Sequence, residues 1–417
     1  MRGNLAFPLV TAALDADVVV VGAGPAGVAA ALTLVASGRD VVLLDKAAFP
    51  RDKCCGDGLT TGALRLLDEL GLDPASVPRW RVTHDVRLRS PSGREVRLDL
   101  PSGRGQYAAV APRADLDAAL VAHVRARGVR VRERTGFARL VRNDRHVEIE
   151  TDAGERVAAH WLVAADGMWS PVRKAAGVAD QGYLGEWHAF RQYVRGVTGP
   201  ARDRLIVWFE RDLLPGYAWS FPLPDGRANV GFGILRGGRH GVQEMPRLWS
   251  ELLARPHVRE ALGPGAELED RHTAWPIPAR VTSSALAEGR ILFVGDAART
   301  ADTLTGEGIG QALLSGMLAG GAIVRRGARD DAHAVRTAYE RAMRREFFAD
   351  HRMSELLGRV LRSERAARGA LRIAGLTAWT RRNFVRWMFE DEPRAAALTP
   401  RRWHRGFLRR QGAWAQG

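Results

Sequence analysis

The sequence predicts an α/β fold with an inserted antiparallel sheet and a helical C-terminal region, on three observations. Residues 17–45 read as apolar strand, glycine-rich turn, alanine-rich helix and second apolar strand; residues 182–234 read as strands broken by Pro/Gly turns; everything after about residue 332 reads as helical and basic. In the first stretch a strand at 18–21 runs into Gly22-Ala23-Gly24-Pro25-Ala26-Gly27, a helix continues to Ser37, and the second strand ends in Asp45. That order is a Rossmann-like unit. Gly22 permits the tight turn, Gly24 lets the backbone approach a pyrophosphate, and Gly27 lets the helix pack closely on the strand. The first-turn amides and the positive end of the helix dipole face the phosphates. Asp45 can accept a hydrogen bond from a ribose hydroxyl and repels a 2′-phosphate, so NADP is a poor resident ligand.

The other elements follow in order. Residues 49–61 form a charged, glycine-rich loop leading into a helix over 62–70, and residues 80–100 alternate around Ser90-Pro91-Ser92-Gly93 as a hairpin. Pro112-Arg113-Ala114-Asp115 opens a helix reaching Arg127, strands follow near 129–133 and 147–151, and a buried strand at 161–165 ends in Asp166-Gly167. The strand-rich region turns at Leu214-Pro215-Gly216 and Pro224-Asp225-Gly226. A last buried strand at 290–294 ends in Gly295-Asp296, ahead of a small-residue helix over 308–324. The expected organisation is a discontinuous nucleotide domain (1–80, 101–180, 276–330), an antiparallel-sheet substrate domain (81–100, 181–275) and a helical, arginine-rich region (331–417).

Composition narrows the class. Of the 62 basic residues only Lys46, Lys53 and Lys174 are lysines, and most of the net charge of +15 lies in residues 351–417. There it is interleaved with Leu371, Ile373, Trp379 and Trp387, which suits an anionic membrane surface or a helical face packed on the body. No nucleic-acid motif is present. The two cysteines, Cys54 and Cys55, are adjacent, a poor geometry for a disulfide and no metal framework, so no metal and a reducing compartment are expected. Residues 18–36 approach the length of a membrane span, but glycines and Pro25 at turn spacing argue for a soluble domain. The apolar run 5–14 is interrupted by Phe7-Pro8 and followed at once by the first strand, so an unprocessed cytoplasmic protein is expected, with peripheral contact at the inner face of the membrane.

Two further motifs select the dinucleotide. The run 164–173, Ala-Ala-Asp-Gly-Met-Trp-Ser-Pro-Val-Arg, resembles the ADGxxSxxR signature of FAD-dependent hydroxylase-like flavoproteins. Phe293-Val294-Gly295-Asp296-Ala297-Ala298, followed by Thr305-Gly306-Glu307-Gly308-Ile309, resembles their ribityl and flavin-ring motif. A short acid at a strand end suits ribityl hydroxyls, and helix amides near Gly308 and Ile309 face the flavin edge where negative charge develops on reduction. FAD is therefore the expected cofactor, on a domain of the glutathione-reductase/hydroxylase type.

The chain also resembles the geranylgeranyl reductase family, over residues 17 to about 325. The resemblance rests on Cys55-Gly56-Asp57-Gly58-Leu59, on Tyr217-Ala218-Trp219-Ser220-Phe221-Pro222 with Asn229-Val230-Gly231, and on the TGEGI segment. It implies FAD contacts at Ala26, Asp45, Cys55, Gly56, Gly58, Arg113, Asp296, Gly308 and Ile309, beside Gly22, Gly24, Gly27 and Asp166 from the motifs above. It also implies saturation of isolated prenyl double bonds, in geranylgeranyl chains, archaeal-type lipids or the menaquinone side chain. Asp45 stands where the family has Glu, Cys54 and Thr303 where Pro is usual, and Arg299 where Gly is frequent.

Such an alkene is a poor hydride acceptor, so hydride transfer must be coupled to protonation of the other carbon, in a dry apolar tunnel with aromatic faces that tolerate cationic character. Trp219, Tyr217 and Phe221 are the candidate lining, and Cys55 or Tyr217 the candidate proton relay, although an ordinary thiol is a weak acid. A twenty-carbon chain contributes about 0.8 kcal/mol per buried CH₂ toward positioning one bond. NADPH or NADH is expected as a transient donor, although Gly231-Phe232-Gly233 opens no convincing second nucleotide helix. The competing readings are an NAD(P)H-dependent FAD monooxygenase or halogenase-like enzyme, and a non-catalytic prenyl-lipid carrier. CGDG and YxWxFP tilt against the first, and the intact glycines, Asp45 and both GD segments against the second.

Overall fold

A computed structural model describes residues 14–142, 145–327, 331–403, 407 and 409–416. Of the apolar run 5–14 only Leu14 falls within the described residues. The first sheet runs in the order Ala287–Glu288, Ile291–Phe293, Arg156–Ala164, Ala16–Val21, Val41–Leu44, Arg130–Arg132. Its middle strands are parallel, with Val18 opposite Val41 on one side and Trp161 on the other. Val18, Val19 and Val20 are fully buried. A strand covered on both faces cannot alternate, which is why this one reads as continuous valine. Phe137–Arg142 and Val147–Thr151 extend the sheet as a side hairpin. The first of these strands escaped the sequence reading because its apolar residues Phe137, Leu140 and Val141 do not alternate.

Helix Pro25–Val35 starts with proline, whose missing N–H costs nothing at that end. It packs on the long helix Ile309–Arg326 so tightly that a Cβ on Gly316 would lie 2.1 Å from the Ala26 carbonyl. Backbone-to-backbone approach explains why both helices are rich in Ala and Gly.

The second sheet runs Glu267–Leu268, Trp187–Arg195, Arg227–Leu235, Ala218–Leu223, Leu205–Trp208, Asp85–Arg89, Glu95–Asp99, with Thr273–Ile277 also pairing to Trp187–Arg195. It is antiparallel except at one seam: Leu205–Trp208 pairs in parallel with Asp85–Arg89, the hairpin that arrives from much earlier in the chain. Helices Met245–Ala254 and Pro256–Leu262, absent from the sequence reading, cover one face through Leu248, Trp249 and Leu252 against Phe190 and Phe232. A three-stranded patch, Gly58–Leu59, Ala109–Val110 and Arg81–Val82, ties the CGDG loop beside the helix Arg113–Ala126.

In the C-terminal region Ala332–Met343 returns to the first sheet, where the Tyr339 hydroxyl donates to the Phe293 carbonyl. Ala349–Val360, Glu364–Ala374 and Ala378–Met388 follow, and Leu371, Val385 and Phe389 pack on Val86, Leu88, Val96 and Leu98 of the hairpin. The expectation of helix to the end fails past residue 389, where only two single turns, Ala396–Leu398 and Pro400–Arg402, occur among the described residues. Pro393 and Pro400 interrupt the ladder there.

Candidate functional site

One cavity, about 400 Å³, lies where the two sheets and the C-terminal helices meet. Its wall includes Gly24, Pro25 and Ala26, the loop 53–60, Arg113, Asp296, the segment 304–309, and Tyr217, Trp219 and Phe221.

The glycine turn divides its labour. Gly22 sits at φ +105°, and a Cβ there would meet the Ala165 carbonyl at 2.2 Å. A Cβ on Gly27 would meet the Gly22 carbonyl at 1.8 Å. Gly24 has nothing nearer than Arg51 Nη2 at 3.9 Å, so it alone keeps space open. Asp45 stands behind this turn: its Oδ2 accepts from the Ala23 amide at 2.8 Å and its Oδ1 from the Ala47 amide at 2.8 Å. Its carboxylate therefore fixes the loop that frames the cradle. Asp166 is likewise engaged locally, accepting from Ser170 Oγ at 2.7 Å and the Val172 amide at 2.9 Å, with burial pushing its pKa up to about 6. Ala165 and Gly167 on either side of it form the wall.

Opposite, Asp296 Oδ2 pairs with Lys53 Nζ at 3.1 Å. Gly308 and Ile309 open the long helix with amides that have no partner within the helix. A Cβ on Gly308 would meet nothing closer than 4.0 Å, so this end too stands open. Arg113 makes two bonds to Asp117, at 2.9 and 2.7 Å, and Arg51 joins the same carboxylate at 3.0 Å.

The CGDG loop is fastened to the second sheet by one buried network. Asp57, fully buried at φ +64°, accepts from the Arg113 amide at 3.2 Å, the Tyr193 hydroxyl at 2.7 Å and Asn229 Nδ2 at 2.8 Å. Asn229 Nδ2 also donates to the Cys55 carbonyl at 2.8 Å, while its Oδ1 accepts from Trp219 Nε1 at 3.1 Å. The CGDG loop thus shares one set of hydrogen bonds with the YxWxFP and NxG segments far downstream. Burial raises Asp57 to about 6, against the hydrogen bonds from Asn229 and Tyr193, so it is an anion at neutral pH.

The aromatic wall presses on the loop's glycines. A Cβ on Gly58 would lie 2.8 Å from the Phe221 ring, and one on Gly56 3.2 Å from it. Gly58→Ala is accordingly expected to cost about 1–3 kcal/mol by overpacking and to change the Trp219 emission; a denaturation midpoint and emission equal to wild type would contradict this contact.

The two expected proton relays are both poor donors here. Burial pushes the Cys55 thiol up to about 11. The Tyr217 hydroxyl donates to the Thr305 carbonyl, and burial raises its pKa as well. Residues that sequence reasoning did not single out include Lys53, the Asp57–Asn229 pair as a unit, Trp275 and Glu307 on the wall, and Arg394 behind it. Among the described residues no group of His, Cys, Asp or Glu suits a metal ion.

Open space at Gly24, helix-end amides at Gly308 and Ile309 with no partner among the described residues, and Asp296 on the same wall fit a dinucleotide that carries a flavin. The residues present fit FAD, and the fold and the family match define an FAD-dependent oxidoreductase. The FAD binding domain family matches residues 15–319. The chain is 34% identical to menaquinone reductase of Mycobacterium tuberculosis, over 73% of this chain and 76% of that protein. It is 33% identical to a digeranylgeranylglycerophospholipid reductase of Methanopyrus kandleri, over 77% and 84%. Among solved structures, a geranylgeranyl bacteriochlorophyll reductase-like protein of Thermoplasma acidophilum superposes with a TM-score of 0.76, at 21% identity and covering 93% and 99% of the two chains. The chain belongs to the geranylgeranyl reductase family of FAD-dependent oxidoreductases.

Proposed function

We propose that the chain saturates isolated carbon–carbon double bonds of a prenyl lipid. The observation that carries this reading is the continuity of the cavity's apolar wall. It leaves the flavin-facing glycines, passes Trp219 and Phe221, and ends among Leu357, Val360, Leu371, Phe384, Trp387 and Met388 of the C-terminal helices. A long, flexible hydrocarbon fills such a wall; a small polar substrate does not. Bound FAD, once reduced, supplies two electrons and one hydrogen to carbon. The chain's own residues bind and orient the alkene, exclude water, and hold indole and phenyl faces against the carbon that gains positive character. Asp57 and Asn229 keep Trp219 in place for this. NADPH or NADH is the proposed reductant of the flavin.

Access from a bilayer follows from the same region. Ala370, Phe384 and Trp387 line both the main cavity and a shallow groove shared with Ile373 and Trp379. Ile373, Leu376 and Trp379 are each about 60% exposed, beside Arg372, Arg381 and Arg382. Among the described residues no helix is long and apolar enough to cross a membrane. Peripheral docking of this apolar, arginine-rimmed face on anionic lipid is therefore part of the proposal.

The test is product mass. Anaerobically reduced protein incubated with a geranylgeranyl lipid or menaquinone is expected to add two hydrogens per double bond. Addition of one oxygen in air, with no hydrogenated product, would favour a monooxygenase instead.

A further inference from the structure

A cluster of buried acids adjoins the cavity and has too few partners. Asp302 is well satisfied: it accepts from the Leu304 and Thr305 amides at 3.0 and 2.8 Å, from Thr305 Oγ1 at 2.8 Å and Ser354 Oγ at 2.6 Å, and pairs with Arg394 Nε at 3.2 Å. Glu390 accepts from Gln311 Nε2 at 2.8 Å, Arg394 Nη2 at 3.2 Å and Thr60 Oγ1 at 3.3 Å. To the Glu307 carboxylate, among the described residues, only the Gly310 amide donates, at 2.7 Å. Three largely buried carboxylates thus share the field of one guanidinium, where a surplus negative charge is costly. The cluster is cheapest with a proton on the carboxylate that receives the fewest hydrogen bonds, which is Glu307. Burial first, then repulsion by Glu390 and Asp302, pushes Glu307 up to about 8.

Glu307 also stands at the right place. It lines the cavity between Gly306, whose Cβ position is 3.9 Å from the Tyr217 hydroxyl, and Gly308 at the open helix end. The groups that face it are Glu390 and Arg394 from the C-terminal segment, Asp302 from its own loop, Cys55 from the CGDG loop, Tyr217 from the second sheet, and the N-terminus of the helix Ile309–Arg326. Of the two side chains expected as relays, one is a weak acid and the other is tied to Thr305.

We propose, resting on the reductase reading above, that Glu307 is the proton donor to the alkene. The O–H bond of its carboxylic acid breaks as a C–H bond forms at one carbon of the double bond. The other carbon receives the electron pair and the second hydrogen, which bound FAD in its reduced form would supply. The carboxylate left behind is met by Arg394 and the helix N-terminus, and regains its proton from solvent after product leaves. A donor must be protonated to act, so turnover is present below pH about 8 and falls as pH rises through that value.

Glu307→Gln keeps the acceptor for Gly310 and the side-chain shape. FAD content is expected to stay at wild-type level, turnover with a geranylgeranyl lipid to fall on the order of a hundredfold or more, and the infrared carbonyl band of a buried carboxylic acid, titrating near pH 8 in wild type, to disappear. Glu307→Asp should recover part of the turnover together with its alkaline limb. A glutamine variant that turns over like wild type with the same pH profile, or that retains the band, overturns the inference alone. Wild-type protein that shows the band but hydrogenates no prenyl chain overturns the function and this inference with it.

Discussion

Gly24→Val is expected to fold normally and to purify without colour. The backbone at Gly24 has φ −76° and ψ −178°, an extended conformation that valine adopts freely. Its Cβ would point into open space, with Arg51 Nη2 the nearest atom at 3.9 Å. The added side chain therefore strains nothing in the protein and fills the place where a pyrophosphate approaches the turn. Stability without cofactor should match wild type within about 0.5 kcal/mol, as for substitutions that disturb no packing. The rise in melting temperature that added FAD gives wild type, as a ligand binding only the folded state, should vanish. The contrast is Gly27→Ala, whose Cβ would lie 1.8 Å from the Gly22 carbonyl and must break the helix–strand contact itself. Stoichiometric flavin in Gly24→Val would show that the cradle lies elsewhere.

Asp57→Ala should instead damage the frame. It strands three buried donors, the Arg113 amide, the Tyr193 hydroxyl and Asn229 Nδ2. At ~1–3 kcal/mol for each unsatisfied group, partly relieved because Asn229 keeps the Cys55 carbonyl, the loss is roughly 3–6 kcal/mol. The left-handed φ of +64°, which Asp tolerates better than Ala, adds to it. Trp219 is held by Asn229, so near-ultraviolet dichroism should change as well. A shift below about 1 kcal/mol in chemical denaturation would mean that the network does not join the CGDG loop to the second sheet.

Much of this was legible beforehand because it lives in local pattern. The valine strands, the three glycines and the position of Pro25 specify the cradle through backbone geometry, which few residue types satisfy. YxWxFP and CGDG announce themselves as motifs, but their partnership depends on Asn229 meeting Asp57 and Cys55 across a long stretch of chain, and no periodicity encodes that. Asp45 reads as a cofactor ligand from its spacing and Asp166 from its motif, and the fold adds that their oxygens also accept from amides and a hydroxyl of the loops they shape. Helix Met245–Ala254 left a fair signal in the spacing of Met245, Leu248, Trp249 and Leu252, hidden among turn residues on both sides. The acid cluster was invisible, since Glu307, Glu390 and Arg394 are brought together only by docking of the C-terminal segment. The arginine-rich tail proves to serve two ends: Leu371, Val385 and Phe389 pack inward, while Ile373, Leu376 and Trp379 face out.

The most direct measurement is a single anaerobic turnover. Protein with fully reduced flavin is mixed with a geranylgeranyl lipid in the absence of oxygen, flavin absorbance is followed, and remaining double bonds are counted by mass. The expected result is reoxidation of one flavin for each double bond lost. Flavin that stays reduced beside the lipid, and reoxidises only when oxygen is admitted, would contradict the transfer of electrons to carbon.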